Sequence, residues 1–377
     1  MRILYFTRDY SPHDHRFLSG LAKTGHAIYS LRLGRRGPQL EDRPLPDAVE
    51  QVAWRGGLTP TAWKDLPAIY WDLKRVIRQV KPDLIHAGPI QGPALLAALS
   101  GFHPLVSMSW GSDLLKDADK NGCMRWATRT TLRRSDILIG DCDAVRRKAI
   151  DLGFPSDRIV IFPWGVDLAH FSPGPAELET KTNGQFTLLS LRSWQPIYGV
   201  DVVVRAFIQA ANQASNLHLL LLGSGSLAPQ INAMLKSTPA IELVTFGGQV
   251  AQKDLPRFYR SADLYLSASH SDGSSVSLME ALACGCPVLV SDIPGNREWI
   301  SPDKEGWLFP DGDALALEQG ILKAASLAQD RPDILTAMSG AARRIAEARA
   351  DWEKNFGELL RAYDMAMALH KHHYKSL

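Results

Sequence analysis

The chain has 377 residues, 45% of them hydrophobic and 22% charged, with a formal net charge of +2. That length predicts two domains, the composition excludes a disordered or collagen-like chain, and the small net charge excludes bulk attraction to nucleic acid. Four cysteines in so long a chain exclude a disulfide framework and fit a reducing cytoplasm, and no apolar run is long enough to predict a transmembrane helix. Charge is uneven along the chain. Residues 1–170 carry 24 Lys and Arg against 18 Asp and Glu, a balance of +6, whereas residues 171–377 carry 18 against 22, a balance of −4. The basic excess leaves open an anionic acceptor, peripheral contact with the inner face of a membrane, or a scatter of solvated charges.

In chain order, residues 3–6 read as a strand with no signal-peptide core behind it. A loop at 11–16 precedes a helix at 17–24, closed by Gly25, and residues 27–33 form the next strand. A helix at 66–80 stops before Lys81-Pro82, followed by a strand at 84–86, a helix at 94–100, and strands at 105–110, 137–140 and 159–162. The pattern breaks at 172–184, where Pro, Gly and polar residues mark a linker. Strands then recur at 186–191, 217–222, 241–246, 264–267 and 287–290. Helices fit at 200–214, 228–236, 255–260, 276–284 and 314–328, with a long helical tail over 335–370. Strands alternating with helices predict an α/β chain of two Rossmann-like doubly wound domains with parallel sheets. They span 1–171, taken as the acceptor domain, and 185–350, taken as the donor domain; 351–377 is a C-terminal helix expected to pack back on the first. Ligands in such sheets bind beyond the carboxyl ends of the strands, which predicts an active site in an interdomain cleft. The linker and the tail are its expected hinges.

The informative segment runs from Ser267 to Val290. Asp272 is followed by the small residues Gly273, Ser274 and Ser275, then by a helix carrying Glu280, with seven residues between the two acids. Backbone N–H groups at that helix start, over Gly273–Val276, favour phosphate. Glu280, about one turn in, is placed to accept from the hydroxyls of a ribose, and Asp272 from those of a sugar. In this stretch the chain resembles the retaining glycosyltransferases of family 4, whose signature is Glu, seven residues, Glu, then Ala-x-Ala-x-Gly-x-Pro-Val. Here it reads Asp272, then Glu280-Ala281-Leu282-Ala283-Cys284-Gly285-Cys286-Pro287-Val288. Ile159-Val160-Ile161-Phe162-Pro163-Trp164-Gly165-Val166-Asp167, Leu221-Leu222-Gly223-Ser224-Gly225, Phe246-Gly247-Gly248-Gln249-Val250 and Ala262-Asp263-Leu264-Tyr265-Leu266 match other family segments in order and spacing.

The resemblance implies the GT-B fold and transfer of a sugar from a nucleoside diphosphate sugar, of UDP or GDP type, to a sugar- or lipid-linked acceptor with retention. It assigns Arg192 to the donor phosphates, Asp272 to the donor sugar, Glu280 to the ribose, and Gly223 and Val250 to the lining of the donor site. Besides Asp272 in place of the first Glu, the chain departs from the family in three places. Where the family has a Lys partner to the Arg, just before Gly199, stands Tyr198, a donor-binding candidate whose hydroxyl can donate a hydrogen bond but adds no charge, so that phosphate binding leans more on Arg192 and the helix dipole. Where it has a Gly-rich first loop stands Ser11-Pro12-His13-Asp14-His15-Arg16, and where many members have His before a Gly-x-Asp segment stands Trp110. His13 to Arg16, His86 and Asp113 are the acceptor-side candidates.

Other readings are weaker. Cys284 and Cys286 lack the second pair a zinc site needs, and adjacent His13, Asp14 and His15 rarely face one ion. The three Asp-x-Asp triplets, at 117–119, 141–143 and 311–313, are too short to define a cation site, and the last reads as a turn feeding a helix. No metal and no cofactor is expected; the nucleotide sugar is a substrate. A dinucleotide site fails because Ala228 stands where the third fingerprint glycine would be. The residues from His370 to Lys375 read as a basic terminus, solvated or touching a membrane. An epimerase, a phosphorylase, or a non-catalytic sugar-nucleotide-binding protein remain the alternatives on this fold.

Overall fold

Strands covered on both faces read as near-continuous apolar runs, and the chain contains two sets of them. The computed structural model describes residues 1–34, 41, 43–58, 65–176, 178 and 184–375, the last four by backbone alone. They fall into two units, Met1–Phe162 with Phe356–Leu377, and Pro163–Asn355.

The first unit holds β1 (Arg2–Thr7), α1 (Pro12–Ala22), β2 (Ala27–Arg32), β3 (Val49–Gln51), α2 (Leu66–Val80), β4 (Leu84–Gly88), α3 (Leu95–Ser100) and β5 (Leu105–Met108). It continues through α4 (Ser112–Leu115), α5 (Gly122–Arg133), β6 (Ile137–Gly140), α6 (Asp143–Asp151) and β7 (Ile159–Ile161). The sheet order is β3-β2-β1-β4-β5-β6-β7, with parallel registers such as Ile3 beside Ile28 and Leu84. The order reverses between β1 and β4, which makes the carboxyl ends of those strands the switch point. On one face, Leu73 and Val76 of α2 and Ala97 of α3 pack on Phe6, Ile85 and Leu105. On the helix α1, a side chain at Gly20 would meet the Phe356 ring at 2.6 Å, so a glycine admits the closing helix there.

The second unit holds β8 (Phe186–Ser190), α7 (Val200–Ala211), β9 (Leu217–Leu222), α8 (Ala228–Lys236), β10 (Val244–Gly248), α9 (Leu255–Ser261), β11 (Leu264–Ser267) and α10 (Val276–Ala283). After these come β12 (Val288–Ser291), α11 (Pro294–Arg297), β13 (Gly306–Phe309), α12 (Ala314–Asp330), α13 (Pro332–Arg349) and the start of α14 (Trp352–Lys375). Its parallel sheet runs β10-β9-β8-β11-β12-β13, with the switch point between β8 and β11. One core lies between the sheet and α7 and α12, around Phe207, Leu266 and Ile321. The other is built from α10 and α13, around Tyr259, Leu282 and Ala346.

Several expectations need correction. The first loop is helix from Pro12, because Ser11 caps Asp14 N and Asp14 caps Ser11 N in return, with Pro at the first turn. The units divide at Phe162 rather than at 171, since Val166 and Phe171 are buried in the second core. The helical run read over 335–370 is broken at Ala350–Asp351, beside the start expected for the C-terminal helix at 351. There Val166 N donates to Ala350 O at 2.7 Å and Trp352 N to Val166 O at 3.1 Å, a crossing that Gly165 at φ +75° permits. Residues 239–243 form a 3-10 turn, so β10 begins later than expected. Of the expected linker, residues 177 and 179–183 lie outside the described residues. No helix among the described residues is long and apolar enough to cross a membrane.

Candidate functional site

The sheet order of the second unit sets the loop after β8 beside the loop after β11, and their side chains meet at Arg192. Its Nη2 donates to Asp272 Oδ2 at 2.6 Å, and its Nη1 to Ser275 Oγ at 2.9 Å and Ser277 Oγ at 3.0 Å. The guanidinium lies over the Tyr198 ring, 4.1 Å from its centroid. The Arg192 and Asp272 side chains are only 13% and 19% exposed, so the pair is charge-assisted and largely desolvated. Burial weighs against the charge on Arg192, but Asp272 and the neighbouring phenols outweigh it and hold the guanidinium above the usual arginine range. Tyr265 OH donates to Ser277 Oγ at 2.8 Å, which fixes the serine that fixes the arginine.

Two groups in this cluster remain open. Arg192 Nε is buried without a hydrogen-bond partner, a costly state for a cationic donor. Ser275, the cap residue of α10, accepts from Arg192 Nη1 through its hydroxyl oxygen and makes no side-chain cap to its own helix. The first N–H groups of α10 are therefore left without that acceptor, and a helix start in this state attracts an anionic oxygen. A buried cationic donor and an uncapped helix start, both built around Arg192, are the chemistry of a phosphate site.

The remaining donor-side candidates surround this cluster. Gly273, Ser274 and Ser275 are buried and Val276 is half-buried. Ser274 Oγ accepts from Trp299 Nε1 at 3.1 Å, so its hydroxyl braces the loop. Glu280 is buried, and Tyr259 OH donates to its Oε2 at 2.9 Å; burial first, and then the Glu280 carboxylate, push that phenol well above its ordinary pKa. Gly223 sits at φ +90°, where a Cβ would lie 3.0 Å from Arg192 O, and Gly223 N donates to Gly248 O. Trp194 Nε1 donates to Leu222 O at 2.9 Å, locking the Arg192 loop to the end of β9. Phe246 is exposed on the edge strand, 6.4 Å from the Trp194 ring, and Val250 beyond it is half-buried. Ser277, Tyr259 and Tyr265 were not among the sequence candidates, because hydroxyls that orient a cation carry no motif of their own.

On the first unit the outcome is mixed. His13 is half-buried in the first turn of α1, its ring 5.5 Å from Trp110, and Arg16 is also half-buried. Asp14 is buried as the capping residue and accepts from Tyr5 OH at 3.0 Å, while His15 Nδ1 pairs with Tyr10 OH at 2.6 Å. Asp113 does not present its carboxylate to an acceptor. It accepts from Ile90 N, Ser109 Oγ, Trp110 N and Leu114 N at 2.7–3.0 Å, and latches the turn after β4 to the one after β5. His86 is likewise withdrawn: it is 1% exposed, its Nδ1 pairs with Tyr363 OH at 2.6 Å, and burial lowers its pKa to about 3. Asp113 lies just beyond the carboxyl end of β5 and His86 in the middle of β4, and both side chains are engaged within the unit. Among the described residues no cluster of three or more metal-ligating side chains occurs.

The profile described as Glycosyl transferases group 1 matches residues 177–343, and that described as Glycosyltransferase Family 4 matches residues 13–170. The D-inositol 3-phosphate glycosyltransferase of Kineococcus radiotolerans is 30% identical over 232 residues, covering 56% of this chain and 53% of that one. The putative colanic acid biosynthesis glycosyltransferase WcaL of Escherichia coli K12 is 27% identical over 204 residues, covering 52% and 50%. The chain thus spans about half the length of these curated relatives. Among solved structures, HepE of Anabaena in complex with UDP superposes with a TM-score of 0.77 at 17% identity, covering 97% of this chain and all of that one. Sucrose-phosphate synthase of Thermosynechococcus elongatus does so with 0.80 at 18% identity, covering 98% and 100%. These likenesses establish the two-domain α/β GT-B fold.

Proposed function

Because the chain belongs to the group 1, family 4 glycosyltransferases, we propose that it moves a sugar from a nucleoside diphosphate sugar of UDP or GDP type to an acceptor hydroxyl, with retention at the anomeric carbon. The observation that carries this reading is the Arg192 cluster: a clamped guanidinium with a buried unpartnered Nε, beside the uncapped start of α10. HepE, of the same fold, was solved with UDP, with UDP and glucose, and with UDP-glucose. In this reading Arg192 Nε and the first N–H groups of α10 take the diphosphate oxygens. Asp272 turns from Arg192 to hydroxyls of the sugar, Glu280 accepts from the ribose, and Phe246 to Val250 face the base. The bond from the anomeric carbon to the diphosphate oxygen breaks while the acceptor oxygen bonds to that carbon on the same face. The acceptor proton passes to the departing phosphate oxygen. The protein supplies positioning and stabilisation of the leaving charge, without a metal ion or cofactor. The acceptor is sugar- or lipid-linked.

The test is a melting-temperature panel of UDP-, GDP- and ADP-sugars. One nucleotide class is expected to raise the melting temperature by mass action, about 2.7 kcal/mol at a hundredfold excess over Kd. Arg192→Ala, folded by circular dichroism, should abolish the shift, and Glu280→Ala should reduce it. No shift with any of them on folded wild-type protein would defeat the proposal, as would a shift that Arg192→Ala leaves intact.

A further inference from the structure

We infer that the outer surface of the α2–α3–α5 layer of the first unit docks on an anionic lipid bilayer. On α2 the buried positions are Ile69, Leu73, Val76 and Val80, which sets Trp71, Arg75 and Arg78 on the opposite side of the helix. On α5 the buried positions are Ala127, Thr128, Thr131 and Leu132, which sets Trp126, Arg129 and Arg133 outward in the same way. Each helix thus carries an outward tryptophan near its start and two arginines on the turns that follow. Trp71 is 66% and Trp126 55% exposed, and all four arginines are exposed. The helices lie in one layer, with α3 between them: Lys74 Nζ donates to Ser100 O at 2.8 Å, and Arg134 Nη1 to Ala98 O at 3.4 Å.

Charge and shape select the occupant. α5 contains three arginines and no acidic residue. The single acid of α2, Asp72, is engaged by Arg75 and by Arg55 N, and Asp119 ahead of α5 is engaged by Arg125 and Lys148. Trp71 packs edge-on against Tyr70, ring centroids 5.4 Å apart, and Trp126 stands among the arginines of α5; aromatic rings set among cations differ from the charge-depleted apolar centre of a protein interface. Indole at the headgroup level, with arginine stems lying along the apolar boundary and their heads among lipid phosphates, is how a protein surface rests on a bilayer. This surface goes beyond the transfer reaction and requires no turnover to be tested.

The full chain would be sedimented with vesicles of phosphatidylcholine alone, and with one third of the lipid replaced by phosphatidylglycerol, at ionic strengths of about 0.1 M and about 1 M. Binding is expected to the anionic vesicles only, and to fall at the higher salt. Reversing Arg129 and Arg133 to Glu should weaken it at least about tenfold. Trp126→Ala and Trp71→Ala should weaken it with melting temperature unchanged, since both side chains are exposed. The proposal is overturned by no binding to anionic vesicles, by equal binding to neutral ones, or by charge reversal on both helices leaving binding intact. It is overturned equally if Trp126 instead mediates lipid-free self-association in sedimentation velocity. The nucleotide-induced melting shift is read without lipid, so this inference and the transferase reading fail separately.

Discussion

At Arg192 the question is what replaces a second cation. On sequence, Tyr198 stands where the family resemblance places a Lys, which reads as a charge lost with a hydroxyl in its place. The structure uses the ring face instead: the guanidinium sits 4.1 Å from its centroid, so Tyr198 orients the remaining cation rather than adding one. Cation–π contacts are worth about 0.5–2 kcal/mol, or roughly two- to thirtyfold in an equilibrium constant. Tyr198→Phe should therefore keep nucleotide affinity near wild type, and Tyr198→Ala should lower it by that factor, both read by calorimetric titration. A Phe variant as weak as the Ala variant would mean that the hydroxyl matters and the ring does not. The shortened acid reads similarly. Asp272 loses a methylene against the family Glu, but its carboxylate still reaches Arg192 at 2.6 Å. A residue's identity was legible at both positions; the contact was not, because Asp272 meets Arg192 from the loop after another strand and Tyr198 meets it through the fold of their shared loop.

At the level of elements, legibility followed burial. Strands such as β4 and β9, buried at nearly every position, were placed correctly by pattern, as was the turn that ends with Asp313 capping α12. The misplacements fell where backbone detail decides: the capping box that starts α1 at Pro12, the bridge to Val166 that splits the tail, and the four-bonded Asp113. Gly199 shows the same dependence on close approach. It sits at φ +57°, between the turn bearing Tyr198 and α7, and a Cβ there would lie 2.1 Å from Ala268 O. An L-residue in this region costs about 1–2 kcal/mol before any clash. Gly199→Ala should therefore destabilise the chain by more than about 2 kcal/mol in urea titration. It should also weaken nucleotide binding, since the strain falls on the two loops that hold Arg192 and Asp272. A loss within about 0.5 kcal/mol of wild type would show that this approach is soft and that the loops are not held through it.

Over the whole molecule, each unit closes its own cores around its own sheet, so pH and nucleotide should act on different parts of the chain. His86 is buried in the first unit with its pKa lowered to about 3, against 6.5 for the free side chain. Between those values the unfolded chain takes up a proton that the folded chain refuses, so acidification destabilises the first unit, by at most about 1.4 kcal/mol per pH unit. Asp14 and Asp113 act in the opposite sense. Burial raises both above the ordinary carboxylate value, so the folded form binds their protons first and gains stability as pH falls. The net slope therefore mixes signs, and the His86 contribution must be read as the difference between wild type and His86→Gln, which retains a partner for Tyr363 but does not titrate. Calorimetric melts from pH 7 towards about 4 should show wild type losing stability faster than the variant. The donor nucleotide should raise the melting of the second unit by the same amount in both proteins, because its proposed site lies on Arg192 and α10. Identical pH slopes would mean that His86 is protonated or hydrated in the folded chain. A nucleotide shift that changes with His86→Gln would mean that the two units unfold as one.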